Sequence, residues 1–261
     1  MATVNEYSLG TPCWFELGTT DQAAAKEFYS QNFGWHPEDI PMGPGEFYTM
    51  FQLEGRSAGA AYTLPRKLVA AGVGAHWNVY FATPDVDAST AKVAELGGAV
   101  VQPPFEVVDV GRMSNCKDPG GAMFSLWQAR RHAGAGVINE NNSVLWTELA
   151  TRDTGQAREF YTGLFGWKTK GSAVMATYLE FSTDGRARGG LLPMGEEWGA
   201  AESLWGIYFM VADCDAAVAQ ATRLGATLRF GPHSAPGVGR FASLADPQGA
   251  AFSVITPQPA G

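Results

Sequence analysis

Clustered basic residues, paired cysteines and long apolar runs are all missing from this sequence of 261 residues. The net charge is −8, which argues against nucleic acid as a partner because phosphate binding needs clustered Lys and Arg. Without a basic run, we also expect no binding to an anionic membrane. The three cysteines form no CxxC pair, so neither a disulfide framework nor a zinc knuckle is indicated.

The first residues and the composition indicate a soluble cytoplasmic protein. The chain does not start with a charged segment followed by an apolar run, so we expect no signal peptide. No apolar segment approaches the length of a membrane span. Hydrophobic residues make up 46% and charged residues 17%, a globular composition, and the length suits two domains.

One stretch of the sequence occurs twice. Residues 14–35 read WFELGTTDQAAAKEFYSQNFGW, and residues 146–167 read WTELATRDTGQAREFYTGLFGW, with 12 of the 22 positions identical. Later parts of the chain also correspond, at an offset of 128 residues; for example, Trp77 matches Trp205 and Asp118 matches Asp246. A repeat this close indicates that the chain contains one structural unit twice.

Local patterns within the first repeat predict its elements. Residues 13–19 alternate like a strand, Asp21 can cap the helix that follows, and Gly34 stands in the usual position after a helix end. Two strands are predicted at 46–53 and 56–64, with a turn between them at Glu54 and Gly55.

A second strand and helix follow at 76–83 and 85–98. Residues 107–113 read as one strand, and residues 122–128 as a closing strand after the turn that begins at Asp118. Each half therefore contains the order strand, helix and three strands twice, and two such units with curved sheets can enclose a cup. The predicted units are 11–66 paired with 74–129 and 143–196 paired with 203–257, in domains 1–130 and 143–261 joined by a linker at 131–142.

These features together resemble the vicinal-oxygen-chelate superfamily, which includes glyoxalase I, extradiol dioxygenases and bleomycin-resistance proteins. The markers are Asp21, Phe28, Tyr29 and Gly34 with their repeat, and the DPxG-type turn at Asp118. The resemblance covers nearly the whole chain. It implies an α+β fold of four βαβββ modules, paired into two glyoxalase-like domains with cup-shaped mixed sheets and helices on the outside.

The resemblance also implies where metal ligands would stand. Metal-dependent members carry His, Gln or Glu at these places, and a divalent transition metal needs imidazole, carboxylate or thiolate donors. We therefore expect no metal and no other cofactor. The six positions hold Trp14, Asn78 and Ser125 in the first domain and Trp146, Gly206 and Ser253 in the second.

Strand alternation predicts which side chains face each cup. If Trp14 stands where a ligand would, Glu16 shares its face, and Trp146 and Glu148 do the same in the second domain. The Trp side chains could fill the cups as core or form an aromatic wall for a flat ligand. The candidate ligand-binding residues are Trp14, Asn78, Tyr80, Arg112, Ser125, Trp127, Trp146, Tyr208, Arg240 and Ser253.

The candidate acid–base residues are Glu16, Glu148 and His76. A carboxylate on an inward face is costly unless it is paired or hydrated. Each Glu could therefore form a salt bridge with Arg112 or Arg240, act as a general base, or accept a hydrogen bond from a ligand. His76 could be a base or a residue at the rim, whereas His132 falls in the linker and is given no role.

Two functions remain open at this stage. The first is a metal-independent protein that binds an aromatic or polyketide-like small molecule in a cup. The second is a metal-independent enzyme, such as a lyase, isomerase or hydroxylase-like protein, in which an inward Glu or His transfers protons. The exposed strand edges could also pair between two copies of the chain, so a homodimer is a further expectation.

Overall fold

The residues that the structure describes form two eight-stranded mixed sheets and five α-helices. The structure is a computed structural model, and it describes residues 3–172, 175 and 177–258. The first half contains β1 (Pro12–Thr19), α1 (Gln22–Phe33), β2 (His36–Gly43), β3 (Glu46–Leu53), β4 (Arg56–Thr63), α2 (Arg66–Ala70), β5 (His76–Ala82), α3 (Val86–Glu95), β6 (Ala99–Val107), β7 (Gly111–Lys117) and β8 (Met123–Ala129).

The second half repeats this order and lacks only a counterpart of α2, in whose place a short 3-10 helix (Glu196–Trp198) is found among the described residues. The repeat confirms the predicted α+β fold of four βαβββ modules. The elements are β9 (Val144–Thr151), α4 (Thr154–Phe165), β10 (Lys168–Gly171), β11 (Leu179–Thr183), β12 (Arg186–Pro193), β13 (Leu204–Met210), α5 (Cys214–Arg223), β14 (Thr227–Ala235), β15 (Gly239–Ala245) and β16 (Ala251–Pro257).

Both sheets have the same strand order. The first runs β2-β3-β4-β1-β5-β8-β7-β6 and the second β10-β11-β12-β9-β13-β16-β15-β14. In the centre, β1 is antiparallel to β5 and parallel to β4, and β9 is related in the same way to β13 and β12. The first strand of each module therefore lies in the middle of its sheet.

The predicted helix ends are confirmed in both repeats. The side chain of Asp21 accepts a hydrogen bond from the amide of Ala24, and Asp153 does the same for Gln156. Each helix ends at a glycine in the left-handed region, Gly34 at φ 68° and Gly166 at φ 71°. The repeated sequence thus gives the same local structure twice.

The turns show one correct and one wrong prediction. Glu54 and Gly55 both have positive φ, 51° and 74°, as a two-residue hairpin between β3 and β4 requires. Residues 107–113, predicted as one strand, are instead split between β6 and β7. Val108, at φ 47°, begins the turn that separates them. Valine rarely adopts this region, so its β-branched side chain favoured the wrong prediction.

In each half, the helices lie against one face of the sheet, and the opposite face forms the cup. The helix-covered faces of the two halves pack against each other and form the interior of the molecule. Phe33 of α1 is 4.7 Å from Phe209 of β13, measured between ring centroids, and Phe81 of β5 is 5.0 Å from Trp205. Aromatic contacts at these distances contribute both buried area and favourable geometry. The two halves therefore share one core.

Two matched hydrogen bonds join the halves within this core. The hydroxyl of Tyr29 donates to Asp246 at 3.0 Å, and that of Tyr161 donates to Asp118 at 3.1 Å. Each tyrosine comes from the first helix of one repeat and each aspartate from the last turn of the other. The sequence predicted only core packing for the tyrosines and a turn for the aspartates.

Within the part of the chain that the structure describes, no helix is both long and apolar enough to cross a membrane.

Candidate functional site

Each sheet has one face that packs against its helices and one face that does not. The pairing of residues between strands shows which side chains lie on the helix-free face. Trp14 pairs with Tyr80 and Glu16 with Asn78 across β1 and β5, and paired residues point to the same side of a sheet. We call this face of the first sheet the first cup. It carries Trp14, Glu16, Tyr48, Tyr62, His76, Asn78, Tyr80, Ser125 and Trp127.

The corresponding face of the second sheet is the second cup. Trp146 pairs with Tyr208, and Glu148 lies between Gly190 and Gly206 on the neighbouring strands. The alternation of the sequence therefore placed the Trp and Glu side chains on the correct face in both domains. The second cup carries Trp146, Glu148, Glu180, Gly190, Leu192, Gly206, Tyr208 and Ser253.

Two phenols and one indole hold the inward carboxylate of the first cup. The hydroxyl of Tyr80 donates to Glu16 at 2.7 Å. The indole nitrogen of Trp14 donates to the hydroxyl of Tyr48 at 3.0 Å, and this hydroxyl lies close enough to Glu16 to lower the pKa of its carboxyl group. The carboxylate is thus satisfied by neutral donors.

The same cluster recurs in the second cup. Tyr208 donates to Glu148 at 2.8 Å, and the indole of Trp146 donates to Tyr178 at 2.9 Å. Tyr178 in turn lies close enough to Glu148 to lower the pKa of its carboxyl group. The sequence-based prediction missed Tyr48 and Tyr178. Period-two alternation along residues 46–53 could have indicated Tyr48, since it places this residue on the same face as Met50.

Burial changes the protonation behaviour of both carboxyl groups. It raises the pKa of Glu16 and of Glu148, because the charged form loses its hydration, while the hydrogen bonds from the tyrosines act in the opposite direction. A neutral carboxyl group can donate as well as accept a hydrogen bond. Each cup therefore offers a group that could bind either a carbonyl or a hydroxyl.

Of the three roles left open for Glu16 and Glu148, the salt bridge with Arg112 or Arg240 is wrong. Arg112 instead forms ion pairs with Asp87 of α3 and Glu106, and Arg240 pairs with Asp215 of α5 at 2.5 Å. On β7 it is Met113 that pairs with Trp127, so alternation turns Arg112 toward the helix side. Both arginines therefore lie outside the cups and are not part of the candidate site.

One of the two histidines lies where a predicted alternative placed it, and the other does not. His76 lies at the start of β5, where its Nδ1 is 2.9 Å from the carbonyl oxygen of Gly74, which is a rim position. His132 of the linker, by contrast, lies in the first cup. Its ring is 4.4 Å from that of Trp14 and 5.9 Å from that of Trp127.

Burial lowers the pKa of His132. Its Nε2 is buried without a hydrogen-bond partner among the described residues. Sequence reasoning missed this residue because no local pattern brings a linker residue into contact with a strand more than one hundred positions away.

The two cups differ in how much of their aromatic side chains is exposed. Trp14 and Tyr80 are each 3% exposed, whereas their counterparts Trp146 and Tyr208 are partly exposed. Trp14 therefore fills the first cup as core, as one of the two predicted alternatives required. Trp146 forms part of an accessible wall in the second cup.

The comparisons with known proteins agree with this architecture. A model of the Glyoxalase/Bleomycin resistance protein/Dioxygenase superfamily matches residues 13–126 and again residues 143–254. The chain belongs to this superfamily. The match to both repeats confirms the resemblance that the sequence indicated.

Members of the superfamily with similar sequences extend over nearly the whole chain. "Putative glyoxylase CFP32" of Mycobacterium bovis is 41% identical over 260 residues, covering 98% of each chain. The anthracycline biosynthesis protein DnrV of Streptomyces peucetius is 36% identical over 267 residues, covering 97% of this chain and 95% of that protein.

Solved structures show the shared fold. The Mn(II)-bound glyoxalase of Novosphingobium aromaticivorans has a TM-score of 0.66 at 17% identity, with 96% of this chain and 83% of that chain covered. The 2,3-dioxygenase LapB of Pseudomonas sp. KL28 has a TM-score of 0.67 at 11% identity, with 97% and 94% covered.

The side chains at the superfamily's metal positions do not fit a divalent metal. In the first cup the amide of Asn78 donates to Ser125 at 2.7 Å, and Ser125 donates to Asn115 at 2.7 Å. In the second cup the hydroxyls of Ser243 and Ser253 are 2.7 Å apart. Throughout the described ranges, no three His, Cys, Asp or Glu side chains come together as a metal site.

The raised pKa of Glu148 predicts how stability depends on pH. Its stabilising contribution is complete below the pKa of an unfolded Glu, about 4.3, and is lost as the pH rises through the higher folded pKa. Glu148→Gln mimics the neutral form. We therefore expect urea midpoints to fall between about pH 5 and about pH 8 more steeply in the wild type than in this variant.

Glu95→Gln, a change at an exposed helix position, is the matched control and should keep the wild-type slope. Equal slopes for Glu148→Gln and the wild type would show that Glu148 stays charged over this range.

Proposed function

We propose that this protein binds a planar aromatic small molecule in a cup without a metal ion. The observation that carries this proposal is the cluster of Trp146, Tyr178, Glu148 and Tyr208, whose members are all partly exposed on one sheet face. Indole and phenol rings offer apolar contact area, and a small number of polar groups fix a ligand's orientation.

The relatives support an aromatic ligand. One is named an anthracycline biosynthesis protein, and it shares 36% of its residues with this chain over almost its full length. Anthracyclines contain a flat polycyclic core with carbonyl and hydroxyl groups. The carboxyl group of Glu148 can accept a hydrogen bond from a hydroxyl group or, when protonated, donate one to a carbonyl group. The indole of Trp146 beside it can stack on the flat core.

The polar residues of the cups support independence from metal. Glu148 is engaged by two tyrosines, and the positions around it that would supply further donors hold Trp146 and Gly206. A divalent transition metal needs several imidazole, carboxylate or thiolate donors in reach of one point.

Equilibrium dialysis with an anthracycline tests the proposal. We expect saturable binding at micromolar concentrations, about −8 kcal/mol, both before and after exhaustive dialysis against EDTA. Trp146→Phe should weaken binding. Loss of binding in EDTA that zinc, iron or manganese restores would reject metal independence, and absence of saturable binding would reject the proposed function.

Catalysis is a second candidate, and one observation favours it. Glu148 combines a raised pKa with a hydrogen bond from Tyr208, which suits a general acid or base acting on a carbonyl or enol. Chromatography of the same incubations would reveal any product. If Glu148 transfers a proton, Glu148→Gln should bind the ligand but lose turnover by about 10²–10⁴-fold.

A further inference from the structure

The strands of the two cups pair in the same register, but the residue paired with the inward glutamate differs between them. Asn78 pairs with Glu16 in the first cup, and Gly206 pairs with Glu148 at the same place in the second. Asn78 fills its position and bonds to Ser125. At Gly206, an added Cβ would meet only the backbone oxygen of Glu148, at 3.7 Å, among the described atoms within 4 Å.

A second position differs in the same direction. Tyr62 faces the first cup on β4, two residues beyond Ala60, which pairs with Glu16. Leu192 holds that place on β12, two residues beyond Gly190. A leucine is shorter than a tyrosine, so this position contributes less bulk to the second cup, while the phenol ring of Tyr178 covers the adjacent Gly190.

The linker adds a third difference by closing the first cup. His132 packs edge-on against Trp14, and its carbonyl oxygen accepts from the indole of Trp127 at 2.9 Å. These contacts explain why Trp14 is only 3% exposed. A ligand that stacked on Trp14 would therefore have to displace His132.

The second cup also carries a second carboxylate, Glu180, which is paired with a lysine. Glu180 pairs with Gly190, as Met50 pairs with Ala60 in the first sheet, so Glu180 and Glu148 lie on the same face two strands apart. This spacing places their backbones about 10 Å from each other. Lys170 is the cross-strand partner of Glu180 and forms an ion pair with it at 3.0 Å, so this face carries both charges.

We infer that the second cup alone is the ligand site, and that it takes a planar aromatic molecule bearing hydroxyl or protonated amino groups rather than an acidic one. The space over Gly206 admits the edge of the ring system beside Glu148. Hydroxyl and ammonium groups can donate to Glu148, whereas an anionic ligand would meet the charged form of Glu148, which has no Lys or Arg partner among the described residues. This inference rests on the proposed binding function.

Quinizarin and anthraquinone carboxylate are suitable probes, because they share one ring system and differ in the groups that matter here. Equilibrium dialysis should find one quinizarin per chain. Gly206→Asn, which copies the first cup, should weaken this binding by about 10-fold or more, and anthraquinone carboxylate should bind the wild type about 10-fold more weakly than quinizarin does.

Gly74→Asn is the matched control, because it is the same change at an open surface position of the first domain, and it should leave quinizarin binding unchanged. Leu192→Tyr fills the second cup from the other side and gives an independent variant if Gly206→Asn does not fold. Thermal melts identify variants that are folded.

Three results would overturn this inference but not the proposed function. They are two quinizarin molecules bound per chain, wild-type affinity for quinizarin in folded Gly206→Asn and Leu192→Tyr, or tighter binding of anthraquinone carboxylate than of quinizarin. If neither probe nor an anthracycline binds at all, the proposed function fails and this inference fails with it.

Discussion

Replacing Asp246 with Ala should lower the free energy of unfolding by about 3–5 kcal/mol, because three donors, two of them buried, lose their acceptor. One carboxylate oxygen accepts from the amides of Gln248 and Ala250, at 3.0 and 2.8 Å, and the other accepts from the hydroxyl of Tyr29 at 3.0 Å. Asp246 is only 3% exposed, so water cannot replace it. Urea denaturation followed by far-UV circular dichroism measures the loss.

Asp213→Ala is the control for this experiment. Asp213 caps α5 at an exposed position, where it accepts from the amide of Ala216, and its loss should cost about 1 kcal/mol. Asp246→Asn keeps the shape and one acceptor oxygen and should fall between the two. If Asp246→Ala costs no more than Asp213→Ala, the contact between the halves contributes nothing to stability.

Trp14→Ala and Trp146→Ala should differ strongly in their effect, although the two residues occupy the same place in the repeat. Trp14 is 3% exposed and packs against His132, so its truncation leaves a core cavity that should cost about 3–5 kcal/mol. Trp146 is partly exposed, so water can enter the space it leaves, and we expect a cost of about 1–2 kcal/mol. Urea denaturation at neutral pH compares them.

The matched Trp→Phe changes, which remove the hydrogen bonds to Tyr48 and Tyr178 but keep most of the ring, should cost less than the Ala changes at both positions. Equal losses for Trp14→Ala and Trp146→Ala would contradict the difference in closure between the two cups, and with it the assignment of the ligand to the second cup.

Part of the site followed from alternation along a few strands. Because side chains point to opposite faces in turn, the pattern around Trp14 and Glu16 was enough to identify the inward residues of β1 and β5. With the register of β7 against β8 known, the same rule would have predicted that Arg112 points away from the cup. Recurrence of the arginine in both repeats reflects its ion pair with a helix.

The partners of the carboxylates required the tertiary structure. Tyr48 reaches Glu16 from β3, and β3 is separated from β1 in the sheet by β4. The sequence contains no signal for that distance, since it depends on the strand order and on where the rings lie across the sheet.

The sequence by itself determined the repeat, the ends of α1 and α4, and the helix-free face of each central strand, because caps, turns and alternation act over a few residues. Only the tertiary structure decided that Tyr29 meets Asp246, that His132 closes over Trp14, and that Trp146 remains accessible. These contacts join residues that are far apart in the chain, and they depend on how the two sheets and the linker pack. Two related sequence segments therefore acquire one buried and one accessible tryptophan at the same place in the repeat.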